Sequence, residues 1–319
     1  MKDEGIEITS RDAKIINLIN DYGCIYKADI FNKFFLNSNR HRYRRMEKLK
    51  NYNVIIEEKK MLSLGTAGKE YIESNNGKIH YHNRRLNIGR KKYLADKYRI
   101  LSIFSEDIKR IPLATFIDEF NEYTQQEDEV SNKRWMVGKV ISVNNVEFVV
   151  YRIKRENKRA IESQVKMYNN EWNYLNIENV VIVCEDKTTL DKYLAIKRDY
   201  KSVIKKELIV NLKDPWSITK CNKTINGYLD NEQIYLKNKE KIKCEGSYLI
   251  MKDYCVFNLC SSDYTYELKL QSFLNDNILK KIGILCFERD GNEIEEKYPQ
   301  SKYKDKEILR IYADSLNLI

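Results

Sequence analysis

Apolar residues in the first third of the chain recur at helical spacing and then alternate as they do in strands. Residues 9–12 read Thr-Ser-Arg-Asp, the form of a capping box, and the isoleucines and leucine behind them predict a helix that ends at Gly23. A second short helix is predicted from Lys27 to Phe35. Further on, residues 54–64 predict a two-stranded hairpin with a Lys59-Lys60 turn, and Thr66 caps another helix.

Between the second helix and the hairpin lies an arginine-rich segment, residues 36–50, whose helical reading gives two faces. Tyr43, Met46 and Leu49 recur at steps of three and fall on one side. The roughly opposite side carries cations, with Arg42 at the border: Arg40, His41, Arg44, Arg45 and Lys48. One side can pack into a small core while the other meets phosphates. The alternative is an ordinary solvated face.

Helix, helix, basic helix, hairpin and helix is the order of a winged helix-turn-helix, predicted here for residues 1–76. In that arrangement the third helix enters the major groove, and the hairpin tip touches the backbone or the minor groove. The predicted DNA-binding residues are therefore Arg40, His41, Arg42, Arg44, Arg45, Lys48, Lys59 and Lys60. A winged helix used only for protein contacts is the alternative.

The distribution of charge favours DNA over protein contacts. The net charge is +10, and residues 1–110 carry all of it, with 24 Lys+Arg against 14 Asp+Glu. The remaining residues balance at 33 and 33. An asymmetry of this kind indicates a polyanion-binding head on a neutral body.

Three short stretches carry a resemblance to a known family. They are Ile8-Thr9-x-Arg11-Asp12, Tyr43-Arg44-Arg45-x-x-x-Leu49 and the hairpin exit at residues 62–68. Together they resemble the N-terminal domain of the replication-relaxation family of plasmid and phage proteins. The resemblance covers about residues 8–75 and implies a role in DNA replication or its control. It supplies no catalytic residue.

Residues 77–110 predict a basic connecting helix. Leu94, Tyr98 and Leu101 follow the i, i+4, i+7 stripe of an amphipathic helix. The stripe could join two domains, pair with its copy in a homodimer, or belong to a core. We expect a dimer, because winged-helix proteins often bind DNA as dimers.

Residues 111–212 predict an α/β domain. Two strands, at 135–143 and 146–154, form a hairpin around Asn144-Asn145, and they are followed by a helix, a fully apolar strand at 180–184, a helix and a strand. This order resembles the core of restriction-endonuclease-like, PD-(D/E)XK folds. Gln164 and Tyr168 also look like the QxxxY motif of one branch, and replication-relaxation proteins carry a similar region. Plain helix packing would explain the same two residues.

The acids that such nucleases use to hold Mg²⁺ are missing from the expected positions. Gly138 stands at the first, and the E-x-K slot reads Arg152-Ile153-Lys154. We therefore predict a nuclease-like scaffold without cleavage and no metal site. The enzyme alternative is Mg²⁺-dependent nicking or cleavage of DNA, with Lys154, Gln164 and Tyr168 as its residues.

Residues 213–319 predict a mixed α/β region. Strands are expected at 247–251, 254–259 and 281–287, and a closing helix at 305–316. Asp263, Glu267 and Lys269 could form another D…ExK set, which would serve the same nuclease alternative. In a chain that is 33% charged, such a pattern also arises by chance.

The remaining chemistry of the chain is sparse. Seven cysteines are scattered without a CxxC pair and are expected to be buried small residues. His80-x-His82 has no third ligand nearby, so no metal and no cofactor are predicted. No stretch reaches the roughly 20 apolar residues of a membrane span, and the N-terminus has no signal-peptide core, so we expect a cytoplasmic protein.

The sequence thus predicts an α+β, multidomain protein: a winged helix-turn-helix, then a restriction-endonuclease-like domain. Its predicted function is selective binding of double-stranded DNA in replication initiation, replication control or transcriptional regulation of a plasmid or phage. The C-terminal half would dimerise the protein or recruit host replication proteins. A ligand- or peptide-responsive transcription regulator is a further alternative.

Overall fold

The computed structural model describes residues 6–35, 39–81, 87–124, 136–174, 177–197, 204–238, 241–245, 248–276 and 280–314. Across these ranges the chain forms twelve α-helices and three β-sheets, so the predicted mixed α+β class is confirmed. The chain divides into two compact units. Unit 1 comprises Met1–Ile103 and Arg110–Lys139, and unit 2 comprises Phe104–Lys109 and Val140–Ile319. These units differ from the four segments predicted from the sequence, for reasons given below.

Unit 1 opens with helices that bury one face each. Its elements are α1 (Ser10–Tyr22), β1 (Ile25–Tyr26), α2 (Lys27–Phe34), α3 (Asn39–Asn51), β2 (Ile55–Glu58), β3 (Met61–Leu64), α4 (Thr66–Ser74), α5 (Ile88–Leu101), β4 (Lys109–Pro112) and α6 (Leu113–Thr124). The predicted capping box is confirmed. Thr9 Oγ1 accepts the Asp12 amide at 3.3 Å, and Asp12 Oδ2 accepts the Thr9 amide at 2.9 Å.

The first sheet has the strand order β1-β3-β2 and is antiparallel. Glu58 pairs with Met61, so Lys59 and Lys60 form a two-residue turn between β2 and β3. Both strands and the turn agree with the sequence-based prediction. The turn brings the two lysines to the tip of the hairpin, where both side chains are exposed.

Helix α5 belongs to the core of unit 1, which corrects its interpretation as a connecting or dimer-pairing helix. Leu94, Tyr98 and Leu101 are all buried, and the Tyr98 ring meets the Tyr22 ring of α1 edge-on at 5.2 Å. Helix α5 also contacts β1 and β3. The apolar stripe is therefore buried by other elements of unit 1. This packing removes the stripe from water without a second chain.

A second sheet has the order β4-β5-β6-β7-β8. Its remaining strands and their helices are β5 (Met136–Ile141), β6 (Glu147–Ile153), α7 (Lys158–Tyr174), β7 (Asn179–Cys184), α8 (Lys187–Lys197) and β8 (Lys206–Asn211). Strands β6, β7 and β8 are parallel, with Val150 opposite Val181 and Ile182 opposite Ile209. The apolar run of β7 is buried from Val180 to Cys184, as its composition predicted.

The third sheet has the order β13-β12-β11-β10-β9. The elements after β8 are α9 (Pro215–Ile225), α10 (Asn231–Lys237), β9 (Lys243–Glu245), β10 (Tyr248–Met251), β11 (Tyr254–Asn258), α11 (Tyr264–Asn275), β12 (Lys281–Cys286), α12 (Gly291–Lys297) and β13 (Glu307–Tyr312). Strands β9 to β11 are antiparallel, and β11 to β13 are parallel.

The predicted closing helix at 305–316 is wrong over its described part. Residues 307–312 form β13, paired in register with β12 along its whole length. A six-residue stretch with apolar residues at 308, 309 and 311 fits either period, and pairing with β12 decides between them. Ile311 and Ala313 are buried as a result, and residues 315 and 316 lie outside the described ranges.

Residues 140–212 and 213–319 form one unit because hydrogen bonds join β8 to the segment after β11. The Ile209 amide donates to the Ser262 carbonyl at 3.1 Å, and the Glu207 amide donates to Asp263 Oδ1 at 3.1 Å. A domain boundary at residue 212 would leave these groups unsatisfied in the interior.

Candidate nucleic-acid interface

Helix α3 has one buried face and one charged face. Met46 and Leu49 are fully buried, while His41, Arg44 and Lys48 are exposed. These three cations are spaced i, i+3 and i+7, so they form one row along the helix. Among the residues that the structure describes, none of the three has an acidic partner.

Tyr43 departs from the face that its spacing predicts. Its side chain is 50% exposed, and its ring meets the Phe31 ring of α2 edge-on at 5.2 Å. Arg42 lies next to this pair, with its guanidinium carbon 5.0 Å from the Phe31 ring centre and 5.1 Å from that of Tyr43. Such contacts hold the Arg42 side chain in place while leaving its charge intact.

Arg45 is tied to the buried carboxylate of Asp12. Its Nε donates to both carboxylate oxygens, at 3.1 and 3.0 Å, and its Nη2 donates to Asp12 and to the Glu7 carbonyl. The Asp12 side chain is fully buried, whereas that of Arg45 is 21% exposed. Burial raises the pKa of Asp12, but hydrogen bonds from Arg45 and Thr9 outweigh it, and the net shift is downward.

The pairing of Arg45 with Asp12 corrects its predicted placement in the exposed row. Through Nε and Nη2 the guanidinium joins the start of α1 to α3. Nothing local in the sequence announces this contact, since the two residues are 33 positions apart. The capping box alone already explained the presence of an aspartate at position 12.

The carboxylates of the hairpin are neutralised by lysines of neighbouring elements. Glu57 accepts from Lys27 at 2.9 Å and from Lys50 at 3.2 Å. Burial raises the pKa of Glu57, yet these two lysines bring it below its usual value. Glu58 is paired with Lys91 of α5 at 2.6 Å. Both carboxylates of the hairpin are thus paired with lysines, as is exposed Glu47 of α3, which Lys50 contacts at 2.7 Å.

The hairpin tip adds two cations in an unusual backbone conformation. Lys59 and Lys60 have φ values of 48° and 65°, in the left-handed region that glycine and asparagine favour. Because Lys59 and Lys60 are neither glycine nor asparagine, holding them in this region costs of the order of 1 kcal/mol each. The Lys60 carbonyl accepts the Lys27 amide at 2.8 Å, which fixes the tip against the start of α2.

The cations of residues 77–110 contribute less than their number suggests. Lys91 is buried against Glu58, and Arg99 is paired with Asp29 at 2.8 Å. Lys97 is buried over the Tyr93 ring at 4.6 Å, where burial and then the charge of Arg90 hold its pKa well below the usual value. The side chain of Arg40, and residues 84 and 85, lie outside the described part of the chain.

The nuclease-like segment offers no space for the first metal-binding acid. A Cβ on Gly138 would lie 2.4 Å from the Ile111 carbonyl oxygen and 3.0 Å from the Leu101 side chain. Any side chain there would have to displace backbone. At the second position Arg152 is buried, and Lys154, two residues on, is half-buried.

Gln164 and Tyr168 of α7 make structural contacts. The Tyr168 hydroxyl donates to the Arg152 carbonyl at 3.0 Å, and its ring lies 4.5 Å from that of Tyr151. Gln164 donates to Glu156 at 3.2 Å. Both residues are buried, and they anchor α7 to the end of β6 and the loop after it. These contacts support the packing interpretation of the QxxxY pattern.

The later set of Asp263, Glu267 and Lys269 does not converge on one point. Asp263 caps α11 by accepting the Thr265 amide at 3.0 Å, and Glu267 is paired with Lys297 at 2.8 Å. Lys269 follows Glu267 by two helical positions, which places it about 200° around the axis. Within the described ranges no group of three or more His, Cys, Asp or Glu side chains is arranged to hold a metal ion.

Three further observations complete the comparison with the sequence. His80 Nδ1 lies 3.0 Å from Asp118 Oδ2, while His82 is outside the described ranges. All seven cysteines are free thiols, and six are buried. No helix among the described residues combines the length and the apolar character needed to cross a bilayer.

Comparisons of the chain with protein-family models, with curated proteins and with solved structures give no match.

Proposed function

We propose that unit 1 carries a winged helix-turn-helix that binds double-stranded DNA. The supporting order of elements is α1, α2, α3, then the β2–β3 hairpin and α4, with β1 completing a small antiparallel sheet. In this interpretation α3 is the recognition helix and the hairpin is the wing.

The observation that carries the proposal is the exposed row of His41, Arg44 and Lys48 on α3. Their neighbours Met46 and Leu49 hold the opposite face in the core, so the row is presented on a fixed helix. An α-helix fits the major groove of B-DNA, where arginine can contact guanine or phosphate. Arg45 is left out of the proposed contact set because Asp12 occupies its guanidinium.

The wing supplies the second half of the interface. Lys59 and Lys60 are exposed at its tip and would contact the backbone or the minor groove. The proposed set is therefore His41, Arg42, Arg44, Lys48, Lys59 and Lys60, with Arg40 retained from the sequence. By its resemblance to replication-relaxation proteins, we assign the protein to replication, replication control or transcriptional regulation of a plasmid or phage.

The test begins with DNA recovered by the full-length protein from a random or genomic pool. A sequence-selective protein enriches one family of duplexes, and an origin-binding protein enriches those of one replicon. The selected duplex is then titrated at several salt concentrations against a scrambled duplex of equal length. Equal affinity for both duplexes at every salt concentration would contradict selective binding.

The cleavage alternative receives no support from the geometry at Gly138, Arg152 and Glu267. It is tested by incubating the protein with supercoiled plasmid and Mg²⁺ or Mn²⁺. We expect no nicking. Nicking that Lys154→Ala or Glu267→Ala abolishes would establish the enzyme instead.

A further inference from the structure

Unit 2 contains a cavity of about 770 Å³, within the size range of small-molecule sites. Its walls include Asn211 at the end of β8, the segment 259–263 after β11, and Asp290 after β12. All three lie at the carboxyl ends of strands that have parallel neighbours. In open α/β sheets, ligands bind in the crevice outside these ends.

Two helix N-termini at the cavity, those of α9 and α11, are already occupied by aspartates of the chain. Asp214 caps α9 by accepting the Trp216 amide at 3.0 Å, and Asp263 caps α11. A phosphate or carboxylate ligand would otherwise bind such amides. With carboxylates in these places, the lining repels anions.

The lysines of the lining are neutralised as well. Lys220 is paired with Asp290 at 3.0 Å, Lys297 with Glu267 at 2.8 Å, and Lys187 with Glu293 at 2.7 Å. Seven carboxylates line the cavity against these three lysines: Asp191, Asp214, Asp263, Glu267, Asp290, Glu293 and Glu296. The excess of acceptors favours a ligand that brings its own positive charge and N–H donors.

The rest of the lining has four polar side chains, those of Asn211, Ser217, Ser261 and Ser262, and a larger apolar and aromatic part. Leu194, Ile209, Ile294 and the Trp216 ring contribute to it. The indole is held in place, since its Nε1 donates to Asp290 at 3.0 Å and its ring meets Phe287 edge-on at 4.9 Å. Such walls suit a hydrocarbon chain between charged ends.

We propose that this cavity binds a small organic cation, an alkyl amine or guanidine with a hydrocarbon body. The proposal concerns unit 2 alone and does not depend on DNA binding by unit 1. The negative charge of the cavity lining selects against nucleotides, phosphate and acidic metabolites. In this respect the cavity differs from the basic surface of unit 1.

The test uses the full-length protein and three probes at fixed ionic strength: agmatine, 1,5-diaminopentane and the dicarboxylate glutarate. Titration calorimetry should show saturable binding of the two cations and none of glutarate. Asp214→Asn removes one charge, and asparagine is still a good helix cap. Combined with Glu296→Gln in one variant, it should weaken binding of the two cations roughly tenfold. Glu106→Gln, an exposed carboxylate outside the cavity, is the matched control and should bind as the native protein does.

A second variant, Ala195→Phe, fills the cavity from the exposed face of α8 and should abolish binding without unfolding the protein. Its fold is checked by thermal melting. Equal binding of glutarate and the diamine, or cation binding that survives Ala195→Phe, would overturn the proposal. So would the lack of saturation by either cation at millimolar concentration.

Discussion

Arg44 and Arg45 are consecutive on α3, yet their side chains lie in opposite environments. Arg44 is exposed in the row of cations, whereas Arg45 turns to the buried carboxylate of Asp12. A step of 100° around the helix separates them. One arginine is therefore free to meet a ligand, and the other holds two helices of unit 1 together.

This difference predicts opposite effects of the same substitution. Arg44→Met should leave the free energy of unfolding nearly unchanged and weaken DNA binding by about 1–3 kcal/mol. If Arg44 contacts a phosphate, the slope of log affinity against log salt should also fall by about 0.9. Arg45→Met should instead destabilise the protein by about 3 kcal/mol, because it leaves Asp12 buried without its cation.

Urea unfolding and salt-dependent binding titrations measure the two effects. Arg159→Met removes the same charge from an exposed position on α7 and serves as the control. Identical DNA affinities for Arg44→Met and Arg159→Met would remove α3 from the proposed interface.

The Asp12–Arg45 pair predicts a pH dependence of stability. The pKa of Asp12 is lowered in the folded protein, so its contribution is complete above the unfolded value of about 3.9. It is lost as the pH falls from there through the folded pKa. The stability difference between native protein and Asp12→Asn should therefore be constant from about pH 8 to 5 and shrink below pH 4.

Urea titrations across this pH range measure the difference, with exposed Glu70→Gln as the control. If the stability difference between the native protein and Asp12→Asn stays constant down to about pH 2.5, the Asp12 charge does not stabilise the fold.

The hairpin tip predicts that stability and binding can be separated. Replacing Lys59-Lys60 by Asn-Gly supplies the residues that this turn favours and should stabilise the protein by about 1 kcal/mol. The same change removes two cations and should weaken DNA binding. The double variant Lys59→Gln, Lys60→Gln removes the same charges but leaves residues that are unfavourable at the positive φ of this turn. It should therefore weaken DNA binding without stabilising the protein. Undiminished affinity in both variants would exclude the wing from the interface.

The close packing at Gly138 predicts that a nuclease acid cannot be restored there. Gly138→Asp and Gly138→Ala should both destabilise the protein by about 3 kcal/mol, because the Cβ itself meets the Ile111 carbonyl. Gly89→Ala, on α5, places its Cβ in ordinary contact with Asn87 and should stabilise by about 0.5–1 kcal/mol. Thermal melting compares the three variants. A stable Gly138→Asp protein that cleaves DNA with Mg²⁺ would contradict the prediction that the nuclease-like segment does not cleave.

By itself, the sequence determined most of the local elements described between residues 6 and 76 and the central strands. The predicted Thr66 cap is wrong, because α4 begins at Thr66 with Gly65 in the cap position. Capping box, hairpin turn and apolar run each depend on residues close together in the chain, so their signals are readable in order. The charge asymmetry and the cations of α3 were likewise available from composition and spacing.

Tertiary packing alone decided which cations are exposed and where each unit ends. Asp12 and Arg45, or Glu58 and Lys91, are brought together only by the packing of elements far apart in sequence. The same applies to β13, whose short pattern fits two periods until β12 pairs with it, and to the cavity, whose acids come from several elements. An ion pair or a strand pairing between distant elements is a property of the packed chain, because its energy depends on burial and distance that no local pattern encodes.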